Sequence, residues 1–60
     1  MPTIYYVVYR WPDGRDEVRY ERPVWDHSMI HEVEALQKCL GKECPYRIEF
    51  VYPQGSTHAS

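Results

Sequence analysis

Nothing in these sixty residues amounts to a recognisable catalytic or ligand-binding motif, and several further scarcities narrow what the chain can be. No apolar run approaches the roughly 18 residues of a membrane span, and the first residues lack the basic start and apolar stretch of a signal peptide, so a soluble cytoplasmic protein is expected. Two cysteines are fewer than the disulfide frameworks of small secreted proteins use. Lysine and arginine do not outnumber aspartate and glutamate: the formal charge is -2. A protein held mainly by phosphate contacts needs a clustered basic excess that is missing here. Length leaves no room for a second domain and places the chain near the lower edge of what buries enough surface to fold alone.

What the chain does have is a concentrated run of β-formers. From Thr3 to Trp11, T-I-Y-Y-V-V-Y-R-W, β-branched and aromatic side chains take every place but one. Such residues lose χ1 freedom in a helix and pack well on a pleated surface, and a run apolar on both faces suits a central strand. Pro12-Asp13-Gly14 then predicts a hairpin: Pro presets φ, Asp bonds the backbone ahead of it, and Gly accepts positive φ. A three-residue loop with a Gly bulge sets Trp11 opposite Arg15. Counting outward pairs Tyr9 with Glu17, Val7 with Arg19 and Tyr5 with Glu21 on one face. The other face then pairs Arg10 with Asp16, Val8 with Val18 and Tyr6 with Tyr20. The second strand is expected over 16–24.

Pro23 closes that strand, and Asp26 or Ser28 is placed to cap a helix over 27–40, with Glu32 and Glu34 in its early turns. Met29, Val33, Leu36 and Leu40 form its apolar stripe, with Ile30 at the edge and Gly41 just past its end. A last strand over 46–52 alternates Tyr46, Ile48, Phe50 and Tyr52 with Arg47, Glu49 and Val51. The tail 54–60 has nothing to bury and is expected to be mobile. A right-handed crossover makes the last strand parallel to the second, with the apolar first strand between them. The expected fold is therefore α+β: one small two-layer ββαβ domain over 1–53, a three-stranded sheet of order 2-1-3 with a single helix on one face.

By this register the helix covers Ile4, Tyr6, Val8, Val18, Tyr20, Ile48 and Phe50. The opposite face stays open and shows Tyr5, Val7, Tyr9 and Trp11, flanked by Arg19 and Arg47. Aromatics with a polar rim are the composition of an interaction surface, and these six are the candidate partner-binding residues. A one-residue slip exchanges the faces. The alternative surface is acidic: Asp13, Asp16, Glu17, Asp26, Glu32 and Glu34.

Other chemistries find less footing. His27 and His31 have the i, i+4 spacing of shared metal ligands, but Cys39 lies about 18 Å further along the helix axis, so no metal site is expected. Cys39 and Cys44 are expected to be free. No nucleophile has both a base and an orienting group, so no enzyme activity and no cofactor are expected. The opening Met1-Pro2-Thr3-Ile4 resembles the small tautomerases, whose catalytic proline follows the initiator Met; the hairpin at Pro12 to Gly14 departs from that family, which passes from its first strand straight into a helix. In size, mild acidity and lack of motif, the chain resembles the inhibitors carried by phages and mobile elements, anti-CRISPR proteins among them. That likeness implies a stoichiometric inhibitor or adaptor docked on a larger protein. The alternatives are a single-stranded nucleic-acid binder using the same aromatics, with Arg10, Arg15, Arg19, Arg22 and Arg47 as stacking partners, and a homodimer closed through the same face.

Overall fold

The computed structural model describes residues 1–53; the expectation of a mobile tail over 54–60 lies outside them. Its order is β1 (Ile4–Arg10), β2 (Asp16–Pro23), α1 (Ser28–Leu40), a single 3-10 turn at Gly41–Glu43, and β3 (Tyr46–Val51). The sheet runs β2-β1-β3, with β1 antiparallel to both neighbours. This is the expected α+β, ββαβ arrangement. Among the described residues no helix is long and apolar enough to cross a membrane.

The hairpin closes as its residues dictate. The Trp11 N–H donates to the Arg15 carbonyl at 2.7 Å, the Gly14 N–H to the Trp11 carbonyl at 2.9 Å, and the Arg15 N–H to Asp13 Oδ1 at 2.9 Å. Gly14 sits at φ +92°, where a Cβ would be strained. At the start of α1, Asp26 Oδ1 accepts both the Ser28 N–H at 3.1 Å and its hydroxyl at 2.8 Å. Those two bonds, the hydroxyl's first, hold the Asp26 carboxyl below its ordinary value. The other end of α1 closes on Gly41 at φ +58°, whose N–H donates to the Gln37 carbonyl.

The core reverses the expected faces. Tyr5, Val7 and Val33 are buried together, with Met29, Ile30, Tyr46 and Ile48 packed around them, so α1 lies on the odd-numbered face of β1. The Tyr5 ring meets Phe50 at 6.1 Å between centroids, and its hydroxyl donates to the Asp26 carbonyl at 2.5 Å. A tyrosine fits this place because the ring fills the core and the hydroxyl satisfies a loop carbonyl. Tyr5 and Val7 are therefore not partner-binding residues of an open face: they form the floor beneath the helix.

Two physical causes produce the reversal. The register is as expected from Arg10↔Asp16 through Val8↔Val18, then slips by one residue, so that Val7 pairs with Tyr20, Tyr6 with Glu21 and Tyr5 with Arg22. This bulge at Arg19 puts Val18 and Tyr20 on opposite faces, where simple alternation places them on one. Then β3 sets Val8 against Arg47 and Tyr6 against Glu49, so the even residues of β1 share the face of these charges. Ile48, opposite Val7, goes under the helix.

The helix-free face carries Ile4, Tyr6, Val8 and Arg10 along its middle. It is held by an ion-pair chain: Arg10 Nε to Asp16 Oδ1 at 3.1 Å, Arg47 Nη2 to Asp16 Oδ2 at 3.0 Å, and Arg47 Nη2 to Glu49 Oε2 at 2.7 Å. The Arg47–Asp16 bridge runs from β3 across β1 to β2. Val8 beneath it is only 4% exposed, with no helix on that side. Long charged side chains shield apolar surface in this way.

The bridge carries a pH signature. Hydrogen bonds from Arg47, then Arg10, hold the Asp16 carboxyl below its ordinary value of 3.8. A carboxyl depressed on folding adds stability that is complete above its unfolded value and fades as pH falls through the folded one. Urea midpoints measured from about pH 6 down to about pH 2 should fall on the acid side. Asp16→Asn should flatten that fall, leaving the remainder to Asp26.

Candidate interaction surface

The sheet is wider than the helix that covers it. α1 packs against β3 and β1, and the β2 flank of the same face stays uncovered. Three arginine–aromatic pairs line that flank. The Arg15 guanidinium lies 5.3 Å from the Trp11 ring centroid, Arg19 lies 5.9 Å from Tyr9, and Arg22 lies 5.4 Å from Tyr20. The bulge that reversed Tyr20 is what brings it to this side, since Val7↔Tyr20 and Tyr9↔Glu17 now share one face. Trp11 stands edge-on to Tyr9 at 5.1 Å, and Tyr9 to Tyr46 at 5.1 Å, so the aromatics continue inward from the strand end. The Trp11 indole N–H donates to Glu17 Oε1 at 2.8 Å, which fixes the ring across the strand.

Between this flank and the helix runs a shallow groove of about 150 Å³. Val7 and Val33 line it with Tyr20 of β2, Tyr46 of β3, and Glu32 and Leu36 of the helix. Tyr20 is 43% exposed, and Leu36 is exposed as well. On its far side Trp11 borders a wider open depression of about 540 Å³ with Pro12, Lys42 and Pro45. Trp25, 78% exposed, stands in the turn joining β2 to α1, three residues beyond Arg22. The three arginine–aromatic pairs sit on the hairpin, and the Trp11 and Tyr9 rings contact neighbouring side chains.

Of the six residues expected on an open face, the structure gathers Tyr9, Trp11 and Arg19 here, beside the helix rather than opposite it. Tyr5 and Val7 lie underneath. Arg47 lies on the other face, where hydrogen bonds to Asp16 and then Glu49 raise its pKa and hold it charged. Sequence reasoning missed Tyr20, Arg15, Arg22 and Leu36 as members of this strip, and Trp25 at its end. The readable signal was an arginine close to each of three strand aromatics, but only with the bulge in place.

The acidic residues do not form one patch. Asp13 pairs with Arg15, Asp16 with Arg10 and Arg47, and Glu17 with the Trp11 indole, all at the hairpin end. Asp26 opens the helix beyond the far end of β2, a strand of 8 residues spanning roughly 25 Å at about 3.3 Å per residue. Glu32 lines the groove, and Glu34 lies 4.0 Å from His31 on the helix surface. The His27 and His31 rings meet edge to face at 6.0 Å, and among the described residues no group of three or more His, Cys, Asp or Glu side chains is placed to hold a metal. Cys39 and Cys44 are free thiols. Comparison of the chain with protein-family models, curated proteins and solved structures finds no match, so the geometry of the strip alone carries the functional reading.

Proposed function

We propose that this chain is a non-enzymatic binding protein that docks on a larger protein through the arginine–aromatic strip beside α1, as a stoichiometric inhibitor or adaptor of the kind phages and mobile elements carry. The observation that supports it most is the row of Trp11–Arg15, Tyr9–Arg19 and Tyr20–Arg22 pairs, which the helix leaves partly or fully exposed along the hairpin. Trp, Tyr and Arg dominate interface energetics because they bury much area with little loss of rotamer freedom and keep a polar handle. The groove wall at Leu36 offers an apolar contact next to them, and Glu17 and Glu32 interrupt the positive charge.

The same arginine–aromatic pairs favour a second reading, single-stranded nucleic acid stacked on the strip. The carboxylates separate the two. A backbone laid along Trp11, Tyr9 and Tyr20 passes Glu17 and the groove edge at Glu32, which repel phosphate. Light scattering of the pure chain with a labelled single-stranded oligonucleotide, at low and at physiological salt, decides between them. Protein docking predicts no complex at physiological salt, and capture of a discrete partner that Trp11→Ala abolishes. Oligonucleotide binding that survives physiological salt and is lost in Trp11→Ala would overturn the protein reading.

A further inference from the structure

The strip occupies one flank of the sheet; the other flank ends in β3, whose outer edge no strand pairs with among the described residues. The Arg10 N–H donates to the Pro45 carbonyl at 2.8 Å. Continued along the antiparallel register, the even residues of β1 exchange backbone bonds with Arg47, Glu49 and Val51, so the N–H and C=O groups of Tyr46, Ile48 and Phe50 point away from the sheet. The outward Tyr46 carbonyl accepts from Gln37 Nε2 at 3.3 Å and Cys44 Sγ at 3.6 Å. Natural edges are blunted by lysine, proline or bulges. The other edge, β2, carries Pro23 and the Arg19 bulge, whereas β3 reads Y-R-I-E-F-V with neither device.

We propose that two copies of this chain pair through β3, antiparallel, about a two-fold axis at Ile48. In that register each outward-facing residue meets an outward-facing one: Ile48 meets Ile48 of the second copy, and Tyr46 meets Phe50. Arg47 then falls opposite Glu49 of the second copy, twice by symmetry. Neighbouring registers that keep the backbone bonds differ by two residues. One sets Arg47 against Arg47 and the other sets Glu49 against Glu49, and like charges directly opposite destabilise a ladder. Charge therefore selects a single alignment. Arg47 already bonds Asp16 and Glu49 of its own chain through Nε and Nη2, and its Nη1 donors allow it a third carboxylate.

Two further observations point the same way. Phe50 is 47% exposed on the helix side, and the pairing lays Tyr46 of the second copy across it. The chain's own core is also small: Tyr5, Val7, Val8 and Val33 are its buried hydrophobic residues among those described. For a domain of this size, association is an effective way to bury more. The resulting six-stranded sheet keeps both helices on one side and leaves both arginine–aromatic strips free at its far ends. The inference stands independently of what those strips bind.

Sedimentation velocity of the full chain over a range of concentrations tests it, with amide exchange read in parallel. The expected mass rises to twice 7.2 kDa, and the outward Ile48 and Phe50 amides exchange more slowly as the dimer fills. Phe50→Pro removes one outward N–H where an edge tolerates proline, and Glu49→Lys sets like charges against Arg47. Each should weaken the dimer by roughly tenfold or more, whereas Glu21→Lys on β2 should not. The circular dichroism of Glu49→Lys should be unchanged, and that variant carries the test should Phe50→Pro, which also loses the ring packed on Tyr5, fail to fold. A chain that stays monomeric throughout overturns the proposal, as do Ile48 and Phe50 amides indifferent to concentration in the unaltered chain. Dimerisation lost in Trp11→Ala but kept in both β3 variants also overturns it, by moving the interface to the strip.

Discussion

Tyr5→Ala should leave the domain largely unfolded at room temperature. The ring is fully buried against Phe50 and under α1, and large aromatic truncations in a core cost about 3–5 kcal/mol. A domain of this length holds only about 3–9 kcal/mol in total, at about 0.05–0.15 kcal/mol per residue. Tyr5→Phe keeps the ring and removes only the hydroxyl that donates to the Asp26 carbonyl, and should cost about 1–3 kcal/mol for a part-buried acceptor left without its partner. Tyr6→Ala, one residue along and on the opposite face, should cost clearly less than Tyr5→Ala, because its ring is only half-buried and carries no helix. Urea denaturation of the three variants measures this order. A larger loss for Tyr6 than for Tyr5 would reverse the faces and take the strip with them.

The second large effect concerns binding. Trp11→Ala and Tyr20→Ala should each weaken partner affinity by about 2 kcal/mol or more, roughly thirtyfold, while the chain stays folded. Both residues reach the surface, and their contacts are exposed Arg15 and Glu17 for Trp11 and half-buried Arg22 for Tyr20. Arg47→Ala provides the contrast. It breaks the bridge to Asp16 and so removes part of the acid-side stability, yet it lies on the far face and should leave affinity within about threefold. Titration calorimetry with the isolated partner gives all three values.

How far these features were legible in the sequence follows from which interactions are local. Pro12-Asp13-Gly14 closes its turn with bonds among residues 11 to 15, and all four principal elements begin and end within one residue of expectation. The strand order follows from crossover handedness and from one strand being apolar on both sides. That same double apolarity made the faces illegible. Ile4, Tyr6 and Val8 look as fit for a core as Tyr5, Val7 and Tyr9, and only pairing with Arg47 and Glu49 of β3 tells them apart. That pairing joins strands separated by a whole helix, and no turn residue sets its parity. The bulge at Arg19 is silent for a different reason: no glycine marks it, and it shows only as Val18 and Tyr20 parting to opposite faces. Tyr9, Trp11 and Arg19 come together as the register places them, at the hairpin end of the odd-numbered face, but the helix shares that face.

The most direct test of the central claim is site-specific photo-crosslinking in cells that contain the partner. A photoreactive phenylalanine analogue at position 20 lies on the strip, and the same analogue at position 6 lies on the helix-free face. Docking through the strip predicts a discrete covalent adduct from position 20 that disappears when Trp11→Ala is added, and none from position 6. An adduct from position 6 alone would contradict it and place the contact on the face held by Arg10, Asp16 and Arg47.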